Sequence, residues 1–263
     1  LQNDNDVKRM ISWVDRALET DKFLDKKELN LNNNSAAVLF SCLYFNNPWE
    51  EKYKDDDTKI EPFFISETNS VDASFMHHSY YSNGYYDYGK YIAIDDYYEN
   101  GYKITYFVPK IISDSIFDLT DGKNFFLQDE NCFVSAKVKS EMMIKMAAPK
   151  FKLTNTVDFY SPMEKLGLGK LFDSSVNALP NMFENLSEGA NVYLQYLAQK
   201  NQIEFSEDGT IIRSVVEAVP GTKTGSSYIA DILEVNLDQP FIYTIKDKDG
   251  MPIFIGSVSD PTK

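Results

Sequence analysis

The sequence predicts an α+β fold whose strands are mostly antiparallel and whose helices lie at the periphery. Three observations predict it: an apolar stripe at helical spacing near the N-terminus, a mostly apolar run at 35–45, and several short strand patterns within 60–109. The chain has 263 residues, of which 43% are hydrophobic and 14% aromatic. It can therefore bury a substantial core in one large domain.

The first element is an amphipathic helix predicted over roughly residues 5–19. Its apolar stripe consists of Val7, Met10, Ile11, Val14 and Leu18. The apolar run at 35–45 is typical of a central strand covered on both faces. The turn-forming triplet Asn46-Asn47-Pro48 is predicted to end this strand, and Trp49 follows it.

The middle of the chain has the pattern of antiparallel strands. Five strand patterns lie at 63–65, 71–77, 84–88, 91–94 and 102–108. Two turn signals, Ser82-Asn83-Gly84 and Asn100-Gly101, predict hairpins between them.

The later elements are less regular. Residues 111–131 predict one or two short helices, and 133–153 predict two strands broken near Ser140-Glu141. A long strand pattern at 191–197, continued at 203–205, leads into the segment around Gly209.

No arrangement of residues typical of catalysis or of a cofactor site appears, so we expect no enzyme and no cofactor. Residues 167–170 are too short for a phosphate-binding loop, and a Gly-x-Ser-x-Gly elbow is absent. His77 and His78 should point to opposite faces of one strand, which predicts structural roles rather than a metal site. The acidic residues 55–57 indicate a solvated loop, and Cys42 a small buried apolar residue.

The composition disfavours several partners. The net charge of -14 argues against nucleic acid, anionic membrane surfaces and polyanions. We find no apolar run long enough to span a bilayer and no signal-peptide pattern at the N-terminus. The triplet Asn185-Leu-Ser187 is a glycosylation signal, which favours an extracellular location.

The most informative stretch surrounds Gly209. Gly209 lets the chain leave a strand at an unusual angle, and Glu207 and Asp208 are predicted to keep this corner in water. Next comes a β-branched segment, one face of which carries Thr210, Ile212, Ser214, Val216 and Ala218. Turn formers then flank Lys223-Thr224, as expected for an exposed segment that a protease can engage.

This combination, and the two closing strands at 238–245 and 254–261, resemble the reactive-centre loop and C-terminus of the serpin family. Further stretches match family patterns in the right order. They are ISWV at 11–14, VLFSCLYFNNPWE at 38–50, FMH at 75–77, APKFK at 148–152 and LGLGKLF at 166–172. The resemblance covers essentially the whole chain.

The resemblance implies a large, mostly antiparallel sheet with smaller sheets and peripheral helices. About a third of a serpin normally precedes the first helix, so the family's N-terminal helices and strands are missing. We therefore expect a single incomplete domain over 1–263, with a reactive loop at about 206–228, as a fragment of a longer chain.

The resemblance also implies an activity, namely inhibition of a serine protease by a suicide-substrate mechanism. Counting from Gly209 places the cleaved bond at Lys223-Thr224, and a lysine there favours a trypsin-like target. The hinge residues would be Glu207, Gly209, Thr210, Ile212 and Ser214. Trp49 would lie where the loop enters the sheet.

The sequence departs from the family pattern at two places. Ser41 and Gln199 stand where the family has an Asn and His pair that joins facing strands. Inhibitory members have a run of alanines where this chain has residues 212–215. Two alternatives therefore stay open: a non-inhibitory serpin-like binder, carrier or chaperone, and a non-functional fragment.

Overall fold

A computed structural model describes residues 4–29, 45–82, 84–88, 91–112, 137–138, 142–182, 184, 189–212 and 232–263. The described residues form two compact units. One draws on the ranges 1–44, 154–202 and 212–215, and the other on 45–153, 203–211 and 216–263. Strands predominate over helices, which confirms the α+β prediction.

The predicted N-terminal helix is confirmed as α1, Asp4–Ala17. Acidic residues in its first turn and Arg16 in its last turn complement the helix dipole. Its stripe buries Val7 and Val14, and Leu18 is buried just beyond its end. Among the described residues, no helix is long and apolar enough to cross a membrane.

The first sheet has four strands in the order β1, β11, β10, β9. They are β1 Phe45–Pro48, β9 Phe151–Asp158, β10 Ala198–Ser206 and β11 Gly209–Ile212. The predicted turn at Asn46-Asn47-Pro48 is therefore wrong. These residues stay extended because β11 lies beside them and pairs with their backbone.

The predicted strand at 191–197 is also wrong, since β10 begins only at Ala198. The backbone of this stretch bonds to a neighbouring loop instead of to a strand. The Val192 N–H donates to Asn177 Oδ1 at 3.1 Å, and the Val192 carbonyl accepts from Ala178 and Leu179. After β9 follow a short helix, α2 Tyr160–Lys165, and a single 3-10 turn at Gly169–Phe172.

The second sheet has the order β12, β8, β3, β2, and it is antiparallel except where β12 runs parallel to β8. Its strands are β2 Lys59–Ser66, β3 Asn69–Ser82, β8 Met142–Pro149 and β12 Ile232–Asn236.

The third sheet has the order β14, β13, β6, β5, β4, β7. Its strands are β4 Tyr85–Asp87, β5 Tyr91–Tyr97, β6 Lys103–Pro109, β7 Lys137–Val138, β13 Phe241–Lys246 and β14 Pro252–Val258.

One predicted hairpin is confirmed and the other is wrong. Asn100-Gly101 joins the antiparallel strands β5 and β6. Ser82 and Gly84, in contrast, connect two different sheets, because β3 pairs with β2 and β8 while β4 pairs with β5 and β7. The Ser82 hydroxyl donates to the Asp95 carbonyl and accepts the Gly84 N–H, which directs the chain into the next sheet.

Several predictions lie outside the described residues. They are the helices within 113–131, the strand break at Ser140-Glu141, most of the strand at 35–45, the two cysteines and the sequon at Asn185.

An ionic clasp ties the segment after α1 to β10. The Lys200 ammonium lies 2.7 and 2.9 Å from the two Glu28 carboxylate oxygens and 5.5 Å from the centre of the Phe23 ring. The hydrogen bond from Lys200, together with the Asp25 backbone N–H, lowers the pKa of Glu28 below its ordinary value of 4.5. The clasp is therefore formed at neutral pH and weakens as the pH falls below this value.

We expect Lys200→Met to lower the free energy of unfolding by about 1 kcal/mol, because a charge-assisted hydrogen bond at a partly exposed site is lost. Urea denaturation at pH 7 measures this change. Lys22→Met is the matched control, since no described ion pair involves Lys22. Equal losses in the two variants would contradict the clasp.

Candidate functional site

The candidate site is the hinge corner, which we define as Ser206–Gly209 between β10 and β11. Gly209 lies against the backbone of β1. A Cβ at this position would overlap the Asn47 carbonyl oxygen and lie 2.7 Å from the Pro48 Cα atom. Neither backbone atom can move aside without disturbing β1, so only glycine lets β11 begin here.

Trp49 anchors the corner through two hydrogen bonds. Its side chain is fully buried and stacks on Tyr98, with the ring centres 4.6 Å apart. Its Nε1–H donates to the Ser206 carbonyl at 2.9 Å, and its backbone N–H donates to the Asp208 carbonyl at 3.1 Å. Trp49 therefore binds the corner at two positions while its ring packs into the aromatic core.

Glu207 is buried, which corrects the prediction that it lies in water. It is 8% exposed, and its carboxylate accepts from Thr58 Oγ1 at 2.8 Å and pairs with Lys150 Nζ at 2.8 Å. Burial alone would raise the pKa of Glu207, but the hydrogen bonds from Lys150 and Thr58 hold this pKa below its ordinary value of 4.5. Asp208 is exposed as predicted, 3.4 Å from Lys52 Nζ.

The corner backbone has a further anchor in the segment after Trp49. The Tyr53 N–H donates to the Glu207 carbonyl at 3.3 Å. The polar groups of Glu207 are thus satisfied from two separate stretches of the sequence: Tyr53 binds the backbone carbonyl, and Thr58 and Lys150 bind the buried carboxylate.

Thr210, the first predicted inward-facing residue of the hinge, is fully buried. The Tyr98 hydroxyl donates to Thr210 Oγ1 at 2.9 Å. Burial raises the pKa of Tyr98 well above 10, so this hydroxyl keeps its proton and remains a donor at physiological pH.

The remaining predicted site residues fall into two groups. Gln199 is exposed, and its amide donates to Asn201 Oδ1 on the same strand at 2.6 Å. Ile212 belongs to β11 by its backbone. The others, Ser41, Ser214, Lys223 and Thr224, lie outside the described residues, so the Ser41–Gln199 pair and the reactive bond stay predictions.

Sequence reasoning missed four residues that hold the corner: Tyr53, Thr58, Tyr98 and Lys150. No local pattern marks them, because each reaches the corner from a distant segment. In the described part of the chain, no cluster of His, Cys, Asp and Glu is suited to a metal ion.

The fold and the corner define a class of protein. The described residues form three β-sheets, one of which holds the short strand β11 between two others. A profile of the family described as serpin (serine protease inhibitor) matches residues 2–261. The chain therefore belongs to the serpin family, as the resemblance predicted.

Curated relatives agree with this assignment. Serpin B10 of Otolemur garnettii is 24% identical over 259 residues, which cover 97% of this chain and 62% of that protein. Serpin B5 of Mus musculus is 27% identical over 242 residues, covering 89% and 60%. Serine proteinase inhibitor 2 of cowpox virus is 25% identical over 238 residues, covering 88% and 65%. The chain thus spans somewhat less than two thirds of the length of these relatives.

Solved structures confirm the fold. Serpin48 of Tenebrio molitor has a TM-score of 0.69 at 24% identity, covering 99% of this chain and 66% of that one. A loop-inserted structure of a cleaved ovalbumin mutant has a TM-score of 0.68 at 17% identity, covering 98% and 64%. Thyroxine-binding globulin in complex with thyroxine has a TM-score of 0.69 at 16% identity, covering 97% and 64%.

We expect Gly209→Ala to destabilise the protein by at least about 2 kcal/mol, because the added Cβ collides with the backbone of β1. Chemical denaturation measures the loss. Gly169→Ala is the matched control, since a Cβ there meets a flexible Glu164 side-chain atom no closer than 3.5 Å. A harmless Gly209→Ala substitution would contradict the close approach of β11 to β1.

We expect Glu207→Gln to cost about 1–2 kcal/mol at pH 7, because Lys150 loses its partner. The sign of the pH dependence follows from the lowered pKa: the carboxylate stabilises the fold above pH 4.5 and this contribution is lost as the pH falls. Stability measured from pH 7 to pH 3 should therefore decline less steeply in the variant. Glu204→Gln, which removes an exposed pair with Lys152, is the control.

Proposed function

We propose that the protein is a serine protease inhibitor that acts as a suicide substrate. A protease attacks the loop at about 206–228 and forms an acyl-enzyme. The freed segment beyond Gly209 then inserts into the first sheet as a new strand before water releases the enzyme. The family assignment supports inhibition in general, and the cowpox virus relative is named serine proteinase inhibitor 2.

The observation that supports the proposal most directly is the position of β11 between β1 and β10. Residues at the start of the hinge already pair on both sides, and this supports the proposal that insertion lengthens β11. Each added residue would complete backbone hydrogen bonds to two neighbours and bury its inward side chain. These gains in free energy drive the insertion, and the rate of insertion competes with the rate of hydrolysis of the acyl-enzyme.

We assign the reactive bond to Lys223-Thr224 and the target to the trypsin-like class. Lys223 is the only basic residue between Arg213 and Lys246, and turn formers flank it on both sides. A lysine side chain suits a specificity pocket that ends in a buried carboxylate. With the sequon at Asn185, this target favours an extracellular site of action, and we assign no nucleic acid, membrane or polyanion partner.

A second candidate function is that of a non-inhibitory binder or carrier. Residues 212–215 of this chain are Ile-Arg-Ser-Val, and an inward Ile212 is bulkier than an alanine during insertion. Thyroxine-binding globulin, one of the structural neighbours, is in complex with thyroxine. Slow insertion would make the loop a substrate rather than a trap.

The test incubates the intact protein with trypsin and looks for a covalent complex that survives denaturing electrophoresis. We expect the parent to form the complex. We expect Lys223→Ala to form it at least about 100-fold more slowly, because the cationic contact is lost. Lys248→Ala, in an exposed turn, is the matched control and should match the parent.

Thermal unfolding before and after cleavage completes the test. Insertion predicts a higher unfolding temperature for the cleaved protein. Cleavage with neither a complex nor a gain in stability would refute inhibition and favour the carrier. Absence of a folded protein would favour the third alternative, a non-functional fragment.

A further inference from the structure

The chain contains two histidines, His77 and His78, which are neighbours on β3, and each lies against a carboxylate. His77 Nε2 is 3.0 Å from Glu61 Oε1 at a partly exposed position. His78 Nε2 is 3.4 Å from Asp96 Oδ2, and here both side chains are more than nine-tenths buried. The second pair is thus shielded from solvent.

The contacts of His78 determine where its protons lie. Its Nδ1 is 3.0 Å from the Glu51 carbonyl oxygen, which can only accept, so Nδ1 carries a proton in either charge state. The ring stacks on Tyr53 with the centres 3.7 Å apart. Asp96 Oδ2 also accepts from the Tyr53 hydroxyl at 3.4 Å. A proton on Nε2 therefore decides whether the ring attracts or repels Asp96.

The phenols around this pair stay protonated and neutral near neutral pH. Burial, assisted by the Asp96 charge, raises the pKa of the surrounding phenols well above 10; these are Tyr53, Tyr80, Tyr98 and Tyr106. Asp95, next to Asp96, binds Lys103 and Thr105. Histidine is the side chain whose charge ordinarily changes between pH 5 and 8.

Both histidines also line an open cavity of about 570 Å³, while the Nε2 atom of His78 itself is buried. The other charged residues that line it are Glu51, Lys52, Lys54, Asp57, Lys145 and Glu234. Lys145 on β8 pairs with Glu234, its direct partner on the neighbouring strand β12.

The His78 pair touches the segment that holds the hinge corner. Glu51 and Tyr53, its two contacts there, lie two and four residues after Trp49 in the chain. The Tyr53 N–H donates to the Glu207 carbonyl, and the Trp49 N–H donates to the Asp208 carbonyl. A change in the force between His78 and Asp96 therefore acts on these two backbone hydrogen bonds.

We propose that His78 and Asp96 form a pH-sensitive support of the hinge corner. With a proton on Nε2, the ring pairs with Asp96 and holds Glu51 and Tyr53 against the corner. Without that proton, the Nε2 lone pair faces the carboxylate, and the support loosens. Mild acid thus secures the corner, and a rise in pH eases the first step of strand insertion, a consequence that rests on the proposed function.

The test measures amide hydrogen exchange of Trp49 and Tyr53 in the intact protein at pH 5.5 and 7.5, as protection factors that correct for the intrinsic rates. In the parent we expect protection to fall about tenfold with the rise in pH, the effect of one ion pair lost. In His78→Gln and in Asp96→Asn we expect a change below about twofold. His77→Gln is the matched control and should keep the dependence of the parent, because Glu61 lies on β2.

Protection that does not depend on pH in the parent, or an equal loss of the dependence in His77→Gln, would overturn the proposal. Should His78→Gln fail to fold, carbon-13 NMR of the two histidine rings in the parent decides instead, with His77→Gln giving the assignment. The His78 ring must then lose its proton over the same pH range in which protection falls. No protease is involved, so a missing covalent complex would refute inhibition and leave this result standing.

Discussion

The steric contact between Gly209 and the backbone of β1 is the constraint on which the rest of the site depends. Because Gly209 has no Cβ, β11 can start directly beside Asn47 and Pro48 instead of turning away from the sheet. This proximity brings the corner against the Trp49 indole, whose Nε1–H then reaches the Ser206 carbonyl. It also places Glu207 between Thr58 and Lys150. Removal of any one of these contacts would leave a buried polar group without its partner.

The corner combines a rigid apolar base with a polar fastening. Trp49 stacks on Tyr98 and meets Phe205 edge-on, while Phe205 stacks on Phe151 with ring centres 5.0 Å apart. Such an aromatic cluster resists small displacements because its rings interlock at close-packed density. The polar contacts, in contrast, are individually weak and can be exchanged for others. The proposed insertion would therefore break weak polar contacts at the corner and leave the aromatic base in place.

Some of the structure was predictable from local patterns. The stripe of α1 and the strands within 60–109 follow from periodicity, and the Asn100-Gly101 hairpin follows from turn chemistry. The errors share a cause, since Asn46-Asn47-Pro48 and residues 191–197 take their conformation from partners distant in sequence. Glu207 was misjudged for the same reason: a carboxylate next to a turn is normally exposed, and no local signal reveals that Lys150 and Thr58 will enclose it.

The two ionisable supports of the corner respond to protonation with opposite signs. Glu207, whose pKa lies below 4.5, stabilises the corner once it is ionised and fails in strong acid. In the proposal above, a proton on His78 Nε2 strengthens the contact with Asp96, so loss of that proton weakens the support. The corner is consequently most secure when the Glu207 carboxylate has lost its proton and the His78 ring carries one on Nε2. A corner held by the Glu207 carboxylate alone would not weaken when a second group loses its proton. This second dependence arises because Asp96 is buried against the ring of His78.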